Sequence, residues 1–345
     1  MDEIALLTGL LERYSPTGEE AAAAGYLVEA MQAGGLAAHV DEIGNAIGVV
    51  GDGPRQIVLL GHIDTVAGFI PVTRDGDRLN GRGAVDAKGP LATFAAAAAR
   101  CVGHDLGDRQ IVVIGAVGEE GDSRGAHHLK GRYRPTATVI GEPSSWARVT
   151  LGYKGSAWFD LKAARALTHT SAQAESACEA AVAGWNAVAG WAATYNADRP
   201  RMFDQVLPTL RRMESGSDGF TETALLRFGV RLPPELGVSA VNETLREVVG
   251  DVELTLCEGV DAYRGDKNTP LVRAFLAAIR QRGGQPSFSV KSGTSDMNIV
   301  APLWGTPILA YGPGDSSLDH TPYEHIFLTE YQKAIDVLTT VLLTI

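Results

Sequence analysis

Four short apolar runs constrain what this chain can fold into more than any other feature. They lie at residues 57–60, 111–114, 138–140 and 307–311, and each is leucine-rich or β-branched and too short to be a helix. Each reads as a buried strand. Helical stretches are expected between them at 88–102 and 122–129, so strand and helix alternate, and strands that apolar require an α/β sheet covered on both faces. Upstream, Thr17 and Glu20 have the T-x-x-E spacing of a capping box, which predicts an alanine-rich helix closed by Gly34 and Gly35.

From about Gly152 the pattern changes. Alternation at Trp158, Asp160 and Lys162 is followed by a long helix expected from Ser171 to about Asn196, and alternation returns at 225–232. A helix at 239–249 and a strand at 252–257 complete a β-α-β-β-α-β order, the pattern of a ferredoxin-like α+β domain. The expected organisation is a catalytic α/β domain from 1–151 and 265–345, with a smaller domain inserted at 152–264. A length of 345 residues accommodates two domains.

Candidate ligands follow the strands. The run at 57–60 leads into Gly61-His62-Ile63-Asp64, 111–117 leads into Glu119-Glu120, and 138–140 leads into Gly141-Glu142-Pro143. Asp86 stands on the glycine-rich stretch Gly81-Arg82-Gly83-Ala84-Val85-Asp86, and Asp319-His320 follows the fourth strand. In open α/β sheets, ligands bind beyond the carboxyl ends of the strands, and acids gathered there repel one another unless a cation neutralises them. Two imidazoles with several carboxylates suit zinc, cobalt or manganese. His325 rivals His320, which the strand-exit position favours; His127-His128, on an expected helix with no partner at ligand spacing, and His104, in a polar loop, read as structural. Gly81-Arg82-Gly83 lacks the third glycine of a dinucleotide loop.

Lys and Arg total 30 against 41 Asp and Glu, a net charge of −11, which argues against a nucleic-acid partner. The amino terminus is acidic and the apolar stretch at 91–99 is too short to span a bilayer, so a soluble cytoplasmic protein with no membrane contact is expected. Cys101, Cys178 and Cys257 lie far apart and are expected as buried apolar residues in a reducing compartment.

Five segments resemble the co-catalytic zinc exopeptidases and deacylases that include acetylornithine deacetylase, succinyl-diaminopimelate desuccinylase and aminoacylase. They are Gly61-His62-Ile63-Asp64-Thr65-Val66, the Gly81 to Gly89 loop around Asp86, Gly118-Glu119-Glu120-Gly121, Gly141-Glu142-Pro143, and His320 with its downstream Glu324. The resemblance covers the whole chain and implies a three-layer sandwich on a mostly parallel mixed sheet, carrying an inserted lid and dimerisation domain. It implies two divalent ions, zinc or alternatively cobalt. Asp86 would bridge them, with His62 and Glu142 on one ion and Glu120 and His320 on the other. Glu119 becomes the base that activates water, Asp64 the group that orients His62, and the peptide after Asp86 is expected to be cis. On the lid, His169 matches the histidine that helps hold the oxyanion of a partner subunit, and Arg231 matches the arginine that meets substrate. Gly293 and Thr294 match a substrate loop.

One departure concerns substrate. Where many relatives read Asn-Val-x-Pro, this chain has Ser217-Asp218-Gly219-Phe220, which is expected to place an acid near the Arg231 strand and to favour a cationic group. Within the family, Gly152-Tyr153-Lys154-Gly155, the segment from Ser292 to Asn298 and that from Asp319 to Ile326 most resemble the hydrolases that release lysine or ornithine from an amino-group carrier protein. That resemblance implies an acidic carrier as substrate, an amide to a glutamate side chain as the bond cut, and a role in lysine and arginine biosynthesis. Arg199, Arg201, Arg211 and Arg212 are candidates for carrier contact. The alternatives are a small-substrate deacylase and a non-catalytic metal-stabilised binding protein; Glu119 argues against the latter.

Overall fold

In the computed structural model, which describes residues 1–345, the chain begins α1 (Glu3–Glu12), α2 (Ala21–Ala33), β1 (Ala37–Val40), β2 (Ala46–Val50), β3 (Arg55–His62), β4 (Thr73–Asp75) and β5 (Arg78–Asn80). It continues α3 (Lys88–Arg100), β6 (Arg109–Ala116), α4 (Arg124–Leu129), β7 (Ala137–Gly141) and β8 (Arg148–Tyr153). Then follow β9 (Gly155–Ala166), α5 (Ala177–Asn196), β10 (Leu207–Ser217), β11 (Thr221–Leu232), α6 (Val238–Val248), β12 (Glu253–Val260) and β13 (Tyr263–Arg264). The chain ends α7 (Pro270–Gln281), β14 (Ser287–Lys291), α8 (Asp296–Trp304), β15 (Ile308–Ala310), β16 (His325–Phe327) and α9 (Leu328–Thr344).

Two compact units result. The first comprises Met1–Gly152, Gly265–Ser289 and Ser295–Ile345; the second comprises Tyr153–Arg264 together with Val290–Thr294. The short return of 290–294 to the second unit carries Gly293 and Thr294 with it, whereas the sequence pattern assigned them to the first.

The first unit is a mixed α/β fold whose sheet runs β1-β2-β6-β3-β7-β15-β8. Its centre, β6-β3-β7-β15, is parallel, and β2 and β8 flank it antiparallel. The parallel strands are buried almost throughout, as their unbroken apolar runs require. Gly61 pairs with Gly115 on β6 and with Gly141 on β7, so three glycines form one row across the sheet just before its carboxyl edge. A side chain on Gly61 or Gly115 would meet Leu91, and one on Gly141 would meet Phe94, so the row lets α3 lie close to the strands. Asp86 stands two residues before that helix. Gly141→Ala would bring a Cβ to 2.9 Å from Phe94 Cε2 and 3.0 Å from Gly61 Cα. The expected outcome is a loss of about 1–3 kcal/mol, measured by denaturant unfolding.

The second unit has an antiparallel sheet ordered β10-β11-β9-β12, and its elements follow in the order β-α-β-β-α-β. Phe159 and Phe228 stack at its core, with Trp185 from α5 edge-on to Phe228.

Three sequence expectations are corrected. Thr17 and Glu20 make no capping box: Glu20 itself is the N-cap of α2 and its side chain does not cap the helix, because Glu20 accepts from Gly18 N–H and Arg124 while Thr17 Oγ1 donates to Asp64. The long helix starts at Ala177, not Ser171, because Ser176 and Glu179 form the capping box that opens it. Of the cysteines only Cys101 is buried; Cys178 and Cys257 are exposed, one on a helix and one on the edge strand β12, and all three are free thiols. No helix is long and apolar enough to cross a membrane.

Candidate metal centre and catalytic site

His62 is the last residue of β3, Glu119 and Glu120 follow β6, and Glu142 follows β7. The strand register therefore sets three of the site's segments side by side at one rim. Asp86 reaches the same place from the loop before α3, across a cis Asp86–Ala87 peptide, and His320 reaches it from the segment after β15. His62 Nε2 lies 3.1 Å from Asp86 Oδ1; His320 Nε2 lies 3.1 Å from Asp86 Oδ2 and 3.0 Å from Glu120 Oε1. Donor atoms of His62, Asp86 and Glu120 all fall within 4.8 Å of one another. His320, not His325, makes these contacts; His325 Nδ1 instead hydrogen-bonds to the Tyr323 carbonyl.

Asp64 organises the rim from beneath. Fully buried, it accepts from the Glu119 N–H at 3.0 Å, the Glu120 N–H at 3.1 Å and the Thr17 hydroxyl at 2.8 Å. His62 Nδ1 sits 2.9 Å from the Asp64 main-chain carbonyl and 3.5 Å from its carboxylate. A carbonyl can only accept, so Nδ1 carries a proton; Nε2 faces Asp86 as a second donor, and a cation bound between them would replace that proton and take the Nε2 lone pair. Asp64 thus orients His62 mainly through its backbone, and its carboxylate holds the two glutamates.

The electrostatics point to missing positive charge. Burial pushes the Glu119 carboxyl well above the usual carboxylate range, opposed by His62 and reinforced by Glu142, Asp296 and Glu120. Burial likewise raises Glu142, with Asp86 adding to the effect. Burial also pushes Asp296 up to about 7. Asp86 moves the other way: burial acts to raise it, but hydrogen bonds from His320 and His62 hold it well below the usual range. The same hydrogen bonds, to Asp86 and Glu120, push His320 up to about 10. The imidazoles are doing the neutralising, and they are too few for the acids around them. Divalent cations among these nitrogen and oxygen donors would remove the conflict, so the residues fit a metal centre.

A second acid–imidazole group, Asp41, Glu42 and His128, is a surface ion cluster. Asp41 Oδ1 already accepts the N–H groups of Ile43, Gly44 and Asn45, and Arg132 occupies Glu42.

In the second unit, Arg231 Nη1 meets Thr294 Oγ1 at 3.3 Å, which joins two residues 63 positions apart, with Gly293 beside them in sequence. His169 is exposed and its Nδ1 lies 2.7 Å from Ser171 Oγ. Asp218 is corrected. It sits in the turn between β10 and β11, where its carboxylate accepts the Phe220 and Thr221 N–H groups, and those backbone hydrogen bonds hold its pKa down. Arg231 is at the far end of β11, so the acid does not adjoin it. Of the four arginines singled out for carrier contact, Arg201 is paired with Asp204 and Arg212 with Glu214, so two are neutralised in place.

Three residues of this site stand within the motifs singled out in the sequence but had no role assigned to them there. Asp296, 2% exposed with an Oδ1 that accepts no hydrogen bond, stands at the start of α8 among the acids. Arg82 and Glu324 are joined beneath Asp86. A buried acid opening a helix and an arginine in a glycine loop were the available signals.

Fold and site together define a metal-dependent hydrolase of amide bonds. The chain belongs to peptidase family M20/M25/M40, whose family model matches residues 58–344. It is 44% identical over 335 residues to a LysW-lysine hydrolase of Deinococcus radiodurans, an alignment covering 95% of this chain and 92% of that protein. Among solved structures it is similar to the M20 family metallo-carboxypeptidase Sso-CP2 from Sulfolobus solfataricus, with a TM-score of 0.79 at 16% identity, covering 99% of this chain and 98% of that one. Aminopeptidase PepT from Bacillus cereus gives 0.77 at 19% identity, with the same coverage.

Proposed function

We propose that this enzyme releases lysine, and by the same chemistry ornithine, from an acidic amino-group carrier protein, by hydrolysing the amide to the carrier's glutamate side chain in lysine and arginine biosynthesis. The observation that carries this reading is the end-to-end match to a LysW-lysine hydrolase, at an identity far above that of the peptidases sharing only the fold. His62, Asp86, Glu120, Glu142 and His320 would hold two divalent ions, zinc by choice of donors, with cobalt as the alternative.

When bound, such ions supply Lewis acidity and lower the pKa of water towards neutrality. The chain's own residues do the rest. Glu119 takes the proton of the attacking water on its carboxylate and returns it to the leaving amine; its neighbour Glu120 faces the other way, so one strand tip provides both a ligand and a base. Asp64 fixes the backbone of both glutamates. Arg231, Gly293 and Thr294 bind the substrate, and His169 offers a donor to the developing oxyanion, a role worth about 2.7–4 kcal/mol in comparable sites. The second unit serves as lid and dimerisation domain, which would cover β10, an edge strand with Met213 exposed. Three free thiols suit a reducing cytoplasm.

Lysine release should be assayed from the carrier conjugate beside acetylornithine and succinyl-diaminopimelate. Expected is a kcat/KM for the conjugate at least about 100-fold above either small substrate, the scale of discrimination that polar recognition can deliver. Equal or faster turnover of a small substrate would overturn the carrier assignment.

A further inference from the structure

The Asp86 loop and the His320 segment are far apart in sequence, yet both must hold position to within a fraction of an ångström if they share a cation. Neither is rigid on its own account. Asp86 ends a glycine-rich loop, and His320 has φ +62°, a left-handed conformation unfavourable for a residue with a Cβ. Something outside the ligand set must therefore tie the two together.

The tie is visible four residues after His320. Glu324, 1% exposed, points Oε1 at the N–H groups of Val85 and Asp86, at 2.9 and 3.0 Å, and Oε2 at Arg82 Nη1 at 2.9 Å. Arg82, 7% exposed, is held in turn by its Nε, which donates to the Gly68 carbonyl at 2.8 Å. The pairing of β16 with β5 brings the two chains alongside: His325 opposes Asn80, one residue before the glycine loop begins. One further main-chain bond, from the Gly81 N–H to the Glu324 carbonyl at 3.4 Å, ends the pairing, and beyond it the Glu324 carboxylate takes over the role of a ladder for the loop that carries Asp86.

We propose that Arg82 and Glu324 form a positioning clasp that locks the Asp86 loop to the His320 segment and so sets metal affinity without touching metal or substrate. Both residues are buried, both carboxylate oxygens of Glu324 are engaged, and two of its three side-chain hydrogen bonds go to backbone N–H groups at and beside Asp86 itself. A buried carboxylate left without Arg82, or an Arg82 without Glu324, is poorly tolerated, so the pair is built to act as one. The inference rests on the assignment of Asp86 and His320 as ligands.

The test is a zinc titration of the metal-free enzyme, by competition with a chelator, for wild type, Glu324→Gln and Arg82→Met. Outer partners of metal ligands typically change affinity by about 10–100-fold, and a loss of that size is expected in at least one binding step of Glu324→Gln. A smaller loss is expected for Arg82→Met, in which Glu324 still holds both N–H groups. At limiting zinc, kcat should fall with KM unchanged, and excess zinc should restore it; because zinc also stabilises any fold that binds it, the clasp predicts this in a variant whose metal-free unfolding midpoint stays near wild type. Unfolding of the metal-free variants is followed separately, and Arg82→Met serves if Glu324→Gln does not fold. Wild-type zinc affinity in both variants would overturn the clasp while leaving the site intact; a wild-type enzyme that binds no zinc would overturn the site assignment beneath it.

Discussion

Glu119→Gln should keep full metal content and lose about 10²–10⁴-fold in kcat, the range a positioned general base contributes. The substitution is nearly isosteric and leaves the Glu119 N–H bond to Asp64 in place, so the rim geometry survives. What disappears is a carboxylate that burial and its acidic neighbours favour protonating, poised to take a proton once cations are bound. Metal content by elemental analysis and single-substrate kinetics decide the matter. Glutamine at this position with near-normal turnover would remove Glu119 from the mechanism.

Asp86→Ala is expected to have the larger effect on metal. Its two oxygens face His62 Nε2 and His320 Nε2, one each at 3.1 Å. Without it, bound zinc should fall to at most one ion per chain, and hydrolysis by about 10³-fold or more, equivalent to several kcal/mol of lost Lewis-acid stabilisation. Unlike the clasp variants, this one should not recover with excess zinc. Two bound ions in Asp86→Ala would show that Asp86 does not bridge.

Much of the site was legible because a buried parallel strand announces itself. A strand covered on both faces must be apolar along its whole length, so the first acid or imidazole after it marks the rim, as at His62, Glu119 and Glu142. Outer contacts were not legible in this way. Thr17 meets Asp64 across 47 positions and Arg82 meets Glu324 across 242, and no periodicity encodes either pair. The capping motif at Thr17 and Glu20 misled for the same reason: both side chains had partners elsewhere in the fold that competed with the local hydrogen bonds. Asp218 misled through distance. It is near the Arg231 strand in sequence, but a strand advances about 3.3 Å per residue, so the length of β11 sets the two ends roughly 30 Å apart.

The order of residues alone dictated the strands, the chemistry at their carboxyl ends and the kind of cation those groups suit, because each follows from short-range pattern and charge. The folded chain alone determined which oxygen faces which nitrogen, that Asp64 reaches His62 through its carbonyl, and that Glu324 lies beneath Asp86. Those facts depend on segments that only packing brings together, and a hydrogen bond is made or missed over a few tenths of an ångström.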